Sequence, residues 1–182
     1  LYLYKRSRKQ PQYLEHWSER FGTAHYPPRS KGRTRIWIHA VSVGETRATF
    51  SLVESILKRW PNTEILYTHM TPTGRAVGAE FIGKYGPRLL QAYLPYDLPD
   101  ACIRFLDHFR PCVGLLMETE IWPNLITIAH ARALPVLLVN ARLSAKSQKG
   151  YLRLLPLIRP AMSRLAAVAA QTSADADRLT SI

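Results

Sequence analysis

From Arg35 onward, short runs of Val, Ile and Leu alternate with longer stretches whose apolar residues recur at helical spacing. The runs predict strands at 35–41, 64–69, 91–94, 113–117, 135–139 and 167–171. The stretches between and after them predict helices at about 45–59, 73–84, 99–109, 121–132, 148–165 and 173–180. Pro99 and Pro123 suit first helical turns, and Asp97 and Ser173 can act near caps. Val136-Leu137-Leu138-Val139 lacks polar alternation, which points to a sheet covered on both faces. Regular strand–helix alternation of this kind implies an α/β fold, a Rossmann-like doubly wound parallel sheet with right-handed crossovers. Upstream the pattern changes. Residues 5–34 are basic and aromatic, with a short predicted helix from Tyr13 to Phe21, a stop at Gly22 and a stiff Pro27-Pro28 connector. The reading is therefore a basic N-terminal arm or juxtamembrane segment at 1–34, followed by a Rossmann-like domain at 35–182.

Charge sharpens this picture. The 182 residues carry a formal charge of +12, and the isoelectric point is near 10.1. Folding does not require such an excess, which suggests an anionic partner: nucleic acid, a phosphorylated ligand or an acidic membrane surface. The cations cluster. Lys5, Arg6, Arg8, Lys9, Arg20, Arg29, Lys31, Arg33 and Arg35 crowd the arm, opposed there by Glu15 and Glu19. Arg142, Lys146, Lys149, Arg153, Arg159 and Arg164 follow with no acid between them. Solvated surface charge is the plainer alternative for both groups. Cys102 and Cys112 stand outside any CxxC or zinc spacing and read as reduced thiols. No apolar run is long enough to cross a bilayer, although Leu1-Tyr2-Leu3-Tyr4 before Lys5 and Arg6 reads as the end of a membrane segment with its basic flank. The chain stops within a predicted helix, which reads as a boundary with a second domain beyond it.

In a sheet ordered 3-2-1-4-5, strands one and four flank the switch point where ligands bind. Strand one leads to Glu45, and strand four leads directly to Glu118 in Met117-Glu118-Thr119-Glu120-Ile121-Trp122-Pro123-Asn124. Two carboxylates would face one crevice, suited to general-base work with electrostatic support. Each also has an ordinary reading: a first-turn helix carboxylate for Glu45, amide hydrogen bonding at a helix start for Glu118 and Glu120. Gly44 permits close backbone approach, Ser42 offers a hydroxyl, and the free amides at that helix start are a candidate anion site. Thr71, Thr73 and Gly74 form a similar polar turn after strand two, and Asn140 and Arg142 reach the same edge after strand five, so that these five residues with Ser42 and Gly44 are the candidate substrate-binding residues. Asp97 beside the cleft reads as structural or functional alike. His39 reads as an interior histidine and His69 as an interior or cleft-facing one. GxxxxGK[ST], GxGxxG and GxSxG are all missing, as are metal-ligand carboxylate spacings, so no metal or cofactor is expected from motif.

Six ordered blocks, H-A-V-S-V-G-E (39–45), T-P-T-G (71–74), Y-L-P-Y-D-L-P (93–99), M-E-T-E-I-W-P-N-L (117–125), N-A-R-L-S (140–144) and A-A-Q (169–171), resemble the N-terminal half of bacterial Kdo transferases. Y-L-E-H-W-S-E-R-F-G (13–22) adds to the likeness. These enzymes attach 3-deoxy-D-manno-oct-2-ulosonic acid (Kdo) to lipid A precursors. The resemblance implies the acceptor-binding, N-terminal domain of a glycosyltransferase-B fold, the domain that binds CMP-Kdo lying beyond residue 182. It implies inversion without a metal, Glu45 as proton acceptor and Glu118 as transition-state stabiliser. It also implies lipid A precursor and CMP-Kdo as partners, the anionic cytoplasmic face of the inner membrane as location, and no nucleic acid. This fragment alone would not turn over.

Two alternatives stand beside it. One is a non-catalytic module that binds anionic membrane or nucleic acid through the basic arm, indifferent to Glu45 and Glu118. The other is a different sugar-nucleotide transferase or epimerase on the same fold.

Overall fold

The computed structural model describes residues 8, 10–28, 30 and 32–182. The suggested membrane-segment remnant at Leu1 to Tyr4 lies outside them. Six strands form one parallel sheet: β1 (Thr34–His39), β2 (Thr63–His69), β3 (Leu89–Tyr93), β4 (Val113–Met117), β5 (Val136–Ala141) and β6 (Ala167–Ala170), in spatial order β3-β2-β1-β4-β5-β6. Registers such as Trp37 opposite Leu66 and Ile38 opposite Leu115 set β1 between β2 and β4. The order reverses at β1, so the loops after β1 and β4 emerge side by side at the carboxyl edge.

Side-chain alternation on β1 divides the interior in two. Ile38 faces a core with Ile65, Tyr67, Val53, Ile56, Leu57 and Phe81. These last four come from α3 (Phe50–Arg59) and α4 (Pro72–Tyr85). Trp37 faces the larger core, with Leu66, Leu116, Phe105, Leu125 and Ile158. Its helices are α5 (Pro99–Phe109), α6 (Pro123–Ala131), α8 (Leu155–Met162) and α9 (Ser173–Thr180). Two further helices follow the strands that carry the site: α2 (Val43–Ala48), which opens the segment after β1, and α7 (Ala145–Arg153) after β5.

Two predicted helices are each split. The stretch 45–59 becomes α2 and α3, parting at Thr49. Thr49 Oγ1 and the buried Tyr67 hydroxyl both donate to the Thr46 carbonyl, and these competing donors draw it out of the helical ladder. The stretch 148–165 becomes α7 and α8, parting at Leu154, because Pro156 lacks an amide and is accommodated in the first turn of a new helix. Asp97 caps a helix other than the nearest one. Its carboxylate accepts from Asn124 N (3.0 Å) and Leu125 N (2.8 Å), tying the β3–α5 connection to the start of α6. Thr172, one residue before Ser173, is the cap of α9, accepting from Asp175 N at 3.1 Å.

The N-terminal segment packs against the domain. A 3-10 turn (Pro11–Leu14) and α1 (Trp17–Arg20) stand where a continuous helix was expected. Gly22 ends α1 at φ +65°, and a Cβ there would lie 2.7 Å from the Ala101 carbonyl oxygen, so the close contact with α5 requires glycine. Arg20, counted above among the arm's surface cations, is fully buried. It donates to the Met70 carbonyl (3.2 and 3.3 Å), with its guanidinium 3.9 Å from the Tyr93 ring centroid. Arg35 is also buried, 2.6 Å from Glu64 and bonded to the Phe109 carbonyl at 2.8 Å. Neither cation is available to an external anion.

Candidate active site

The loop after β1 closes as a variant of the capping box, in which the carboxylate reaches Val41 N, one residue before the cap. Ser42 Oγ caps α2 by accepting from Glu45 N (3.4 Å) and donates to Glu45 Oε1 (2.7 Å), while Val41 N donates to Glu45 Oε2 (2.8 Å). Glu45 is 8% exposed, with both carboxylate oxygens oriented by donors. The ordinary and the chemical readings of this residue therefore coexist: the bonds that cap the helix also fix the carboxylate's direction. They correct the anion-site expectation. The Glu45 amide is used internally and the Glu45 carboxylate itself occupies the helix start, so an added anion there would meet a like charge.

Beneath α2 lies a buried polar layer. Tyr67 Oη donates to Thr46 O at 2.8 Å and pairs with Thr49 Oγ1. His69 Nδ1 lies 3.0 Å from Ala40 O, and His39 Nδ1 lies 2.9 Å from Thr68 Oγ1. Both rings are fully buried. Burial pulls the pKa of His39 down to about 3, with help from His69, and that of His69 down to about 4. Both are neutral interior groups near pH 7, which sets aside the cleft-facing reading of His69.

The loop after β2 is fastened to the loop after β1. Thr71 Oγ1 donates to Val41 O (2.8 Å) and caps α4 through Gly74 N (3.1 Å). A Cβ on Gly74 would stand 2.7 Å from Val41 O and 2.9 Å from Thr71 Oγ1, so the two helix starts can approach this closely only with glycine. Thr71 and Gly74, singled out as substrate-binding, are thus engaged in joining the loops. Exposed Thr73 touches Thr71 Oγ1 at 3.5 Å. Gly44 differs: a Cβ there would meet nothing within 4 Å, so its outer side is open.

Across the crevice, Glu118 takes φ +55° directly after β4, a left-handed conformation that is uncommon outside glycine and asparagine. Its amide bonds Val139 O at 3.0 Å and its carboxylate meets Arg142 at 3.2 Å. Asn140 is also left-handed, at φ +54°, and its carbonyl accepts from Gln171 Nε2 at 3.2 Å. Thr119 Oγ1 bonds the Arg142 carbonyl, and the Tyr151 hydroxyl donates to the Thr119 carbonyl at 3.1 Å. The loops after β4 and β5 thus form one linked rim.

Glu120 joins the two sides. Its pKa is pushed up to about 7, first by burial and then by the charges of Glu45 and Glu118, while Trp122 pulls the other way. Glu45 from the β1 side and Glu118 from the β4 side therefore act on one carboxyl. A group titrating near neutrality and surrounded by fixed charges can hold or release a proton at working pH. Sequence motifs alone give Glu120 no chemical role; the signal that points to it is its place in Glu118-x-Glu120 after a central strand. The α1 anchor likewise carries no role by motif. Glu19 pairs with Arg75 at 2.5 Å and accepts from Tyr93 N at 2.6 Å, forming a wall beside the β2 loop. The Y-L-E-H-W-S-E-R-F-G block was the available hint. Among the described residues no group of three or more His, Cys, Asp or Glu could hold a metal ion.

A family model described as 3-deoxy-D-manno-octulosonic-acid transferase (kdotransferase) matches residues 15–182. The 3-deoxy-D-manno-octulosonic acid transferase of Bordetella pertussis is 43% identical over 184 residues, covering 98% of this chain and 42% of that protein. That of Haemophilus influenzae is 36% identical over 180 residues, covering 97% and 40%. A probable mitochondrial one from Arabidopsis thaliana is 38% identical, covering 86% and 35%. The chain spans about two-fifths of the length of the bacterial pair. A solved UDP-N-acetylglucosamine 2-epimerase superposes with a TM-score of 0.54 at 13% identity, covering 82% of this chain and 45% of that one. The UDP-GlcNAc 2-epimerase of Neisseria meningitidis gives 0.54 at 12%, covering 81% and 43%. At those identities the likeness is one of fold alone. With the family model spanning the sheet and every loop of the crevice, the chain belongs to the 3-deoxy-D-manno-octulosonic-acid transferase family.

Proposed function

We propose that this chain is the acceptor-binding half of a glycosyltransferase-B enzyme that transfers Kdo from CMP-Kdo to a lipid A precursor. The observation that carries the reading is the pairing of β1 with β4 at the switch point of the sheet, which brings Glu45 and the Glu118–Glu120 loop out side by side at the carboxyl edge; the charges of Glu45 and Glu118 both raise the pKa of Glu120, in keeping with that placement. Glu45 accepts the proton of the acceptor sugar hydroxyl as that oxygen attacks the Kdo anomeric carbon from the face opposite the leaving CMP, inverting the centre. The donors at Val41 N and Ser42 Oγ hold its carboxylate in one orientation, which supports a pre-positioned base. Glu118 contributes negative charge towards the cationic character that develops at the anomeric carbon, with Arg142 fixing its direction. Glu120, shared between protonated and ionised forms at neutral pH, keeps three full negative charges from accumulating at the crevice. Ser42, Gly44, Thr73 and Asn140 border the acceptor, and the open side of Gly44 supports its approach there. The enzyme works at the cytoplasmic face of the inner membrane, needs no metal at this site and takes no nucleic acid.

The test is Glu45→Gln in the complete enzyme, assayed with CMP-Kdo and lipid A precursor. Transfer is expected to fall by about 10²–10⁴-fold, the scale of a lost general base, with acceptor binding retained. Turnover within a few-fold of wild type would remove Glu45 from the role. A UDP-sugar accepted in place of CMP-Kdo would instead indicate a different sugar-nucleotide enzyme on this fold.

A further inference from the structure

The α7–α8 helix pair is finished differently from the rest of the surface. α7 buries no residue, and α8 buries Ile158 and Ala161. Leu152, Leu154 and Leu157 are 44%, 55% and 57% exposed, side chains that a helix pair packed only for stability would turn inward. Leu155, Pro156, Arg159, Pro160 and Ser163 line an open groove of about 600 Å³. From Ala145 to Ala174 the chain carries five cations and no acid. The helix pair is also joined to the crevice, through the Tyr151 hydroxyl on the Thr119 carbonyl.

We propose that the α7–α8 helix pair is a lipid-docking surface, on which Leu152, Leu154 and Leu157 enter the headgroup–acyl boundary of an anionic bilayer while Lys146, Lys149, Arg153 and Arg159 meet lipid phosphates. Exposed leucines among cations with no acid between them are the composition of an interfacial helix. Charge complementarity selects the occupant. A surface with no acid over so long a stretch suits anionic headgroups, whereas a polypeptide face of mixed charge leaves those cations uncompensated. Seated this way, the helix pair holds the rim of Thr119 and Arg142 close to the bilayer, so that a lipid-borne acceptor reaches Glu45 without leaving the membrane. This last step rests on the acceptor proposed above; the docking itself does not.

The test compares the 182-residue chain with its Leu154→Ser/Leu157→Ser and Lys149→Glu/Arg153→Glu variants by cosedimentation with phosphatidylcholine vesicles, with and without phosphatidylglycerol. The parent is expected to bind the anionic vesicles, and each pair of substitutions to weaken that binding by at least about tenfold, the basic pair losing its deficit at high salt. Unchanged binding by the leucine pair overturns the proposal. So does a parent that self-associates through these leucines, shown by sedimentation velocity, or one that prefers RNA to vesicles. In the complete enzyme, the leucine pair is expected to slow transfer to acceptor embedded in vesicles while leaving transfer to deacylated, water-soluble acceptor unchanged. A lower unfolding temperature there would mean that polypeptide covers the face, and the proposal fails. Vesicle binding is read without donor or transfer, so its failure and that of the transferase reading are separable.

Discussion

The two ends of the sheet's carboxyl edge are built on opposite plans. At the β1–β2 end, Val41, Ser42, Glu45, Thr71 and Gly74 bond one another over a buried layer of His39, Thr46, Thr49, Tyr67 and His69. At the β5–β6 end, α7 buries nothing, β6 is largely exposed and leucines face outward. The first plan suits a carboxylate that must not move between encounters, since a base displaced by an ångström loses much of its effect. The second leaves a face to be completed by contact. One edge thus separates a rigid half from a half that stays available.

The largest effect expected from challenging the rigid half comes with acid. His39 and His69 are neutral because burial holds their pKa values at about 3 and about 4, against 6.5 in an unfolded chain. Between those values and 6.5 the unfolded state binds more protons, so stability rises with pH through that window and falls on acidification. In a Glu120→Gln background, which removes the carboxyl that titrates in the opposite sense, urea unfolding at pH 7 and pH 5 should differ by roughly 2–4 kcal/mol, at one pKa unit to about 1.4 kcal/mol per ring. Equal midpoints would mean that the polar layer is hydrated and the contrast between the two ends is false.

A smaller effect of opposite sign belongs to Glu120. Its folded pKa, raised to about 7 by burial and then by Glu45 and Glu118, exceeds the unfolded 4.5. The stability it supplies is complete below pH 4.5 and is lost as pH rises through about 7. Glu120→Gln removes the buried charge and should stabilise the chain by about 3 kcal/mol at pH 8, and by less than about 1 kcal/mol at pH 5. An equal change at both pH values would detach Glu120 from the carboxylate pair.

Sequence pattern reached the sheet because most strands are built on a short apolar run whose burial is decided locally, as in Val136 to Val139. It reached Glu45 and Glu118 because chemistry after the central strands of a doubly wound sheet follows from topology. It did not reach the features set by distant partners. Arg20 and Arg35 look like surface charge until Met70, Phe109 and Glu64 are placed around them. The break at Thr49 depends on a tyrosine one strand away, and the proton affinity of Glu120 depends on Glu45, far off in the chain. The capping role of Glu45 was readable in Ser42-x-x-Glu45. What pattern alone does not supply is that the same bonds orient the candidate base.

The smallest expected effect lies at the open end, where near-silence in stability is the informative result. Leu154 and Leu157 are more than half exposed, so replacing each by serine removes little buried apolar surface. Each substitution should change urea-unfolding stability by less than about 0.5 kcal/mol, as surface positions do. A loss of about 2 kcal/mol or more would show that these leucines are covered in the folded chain. The two ends of the edge would then be built alike, and the open half would be part of the core.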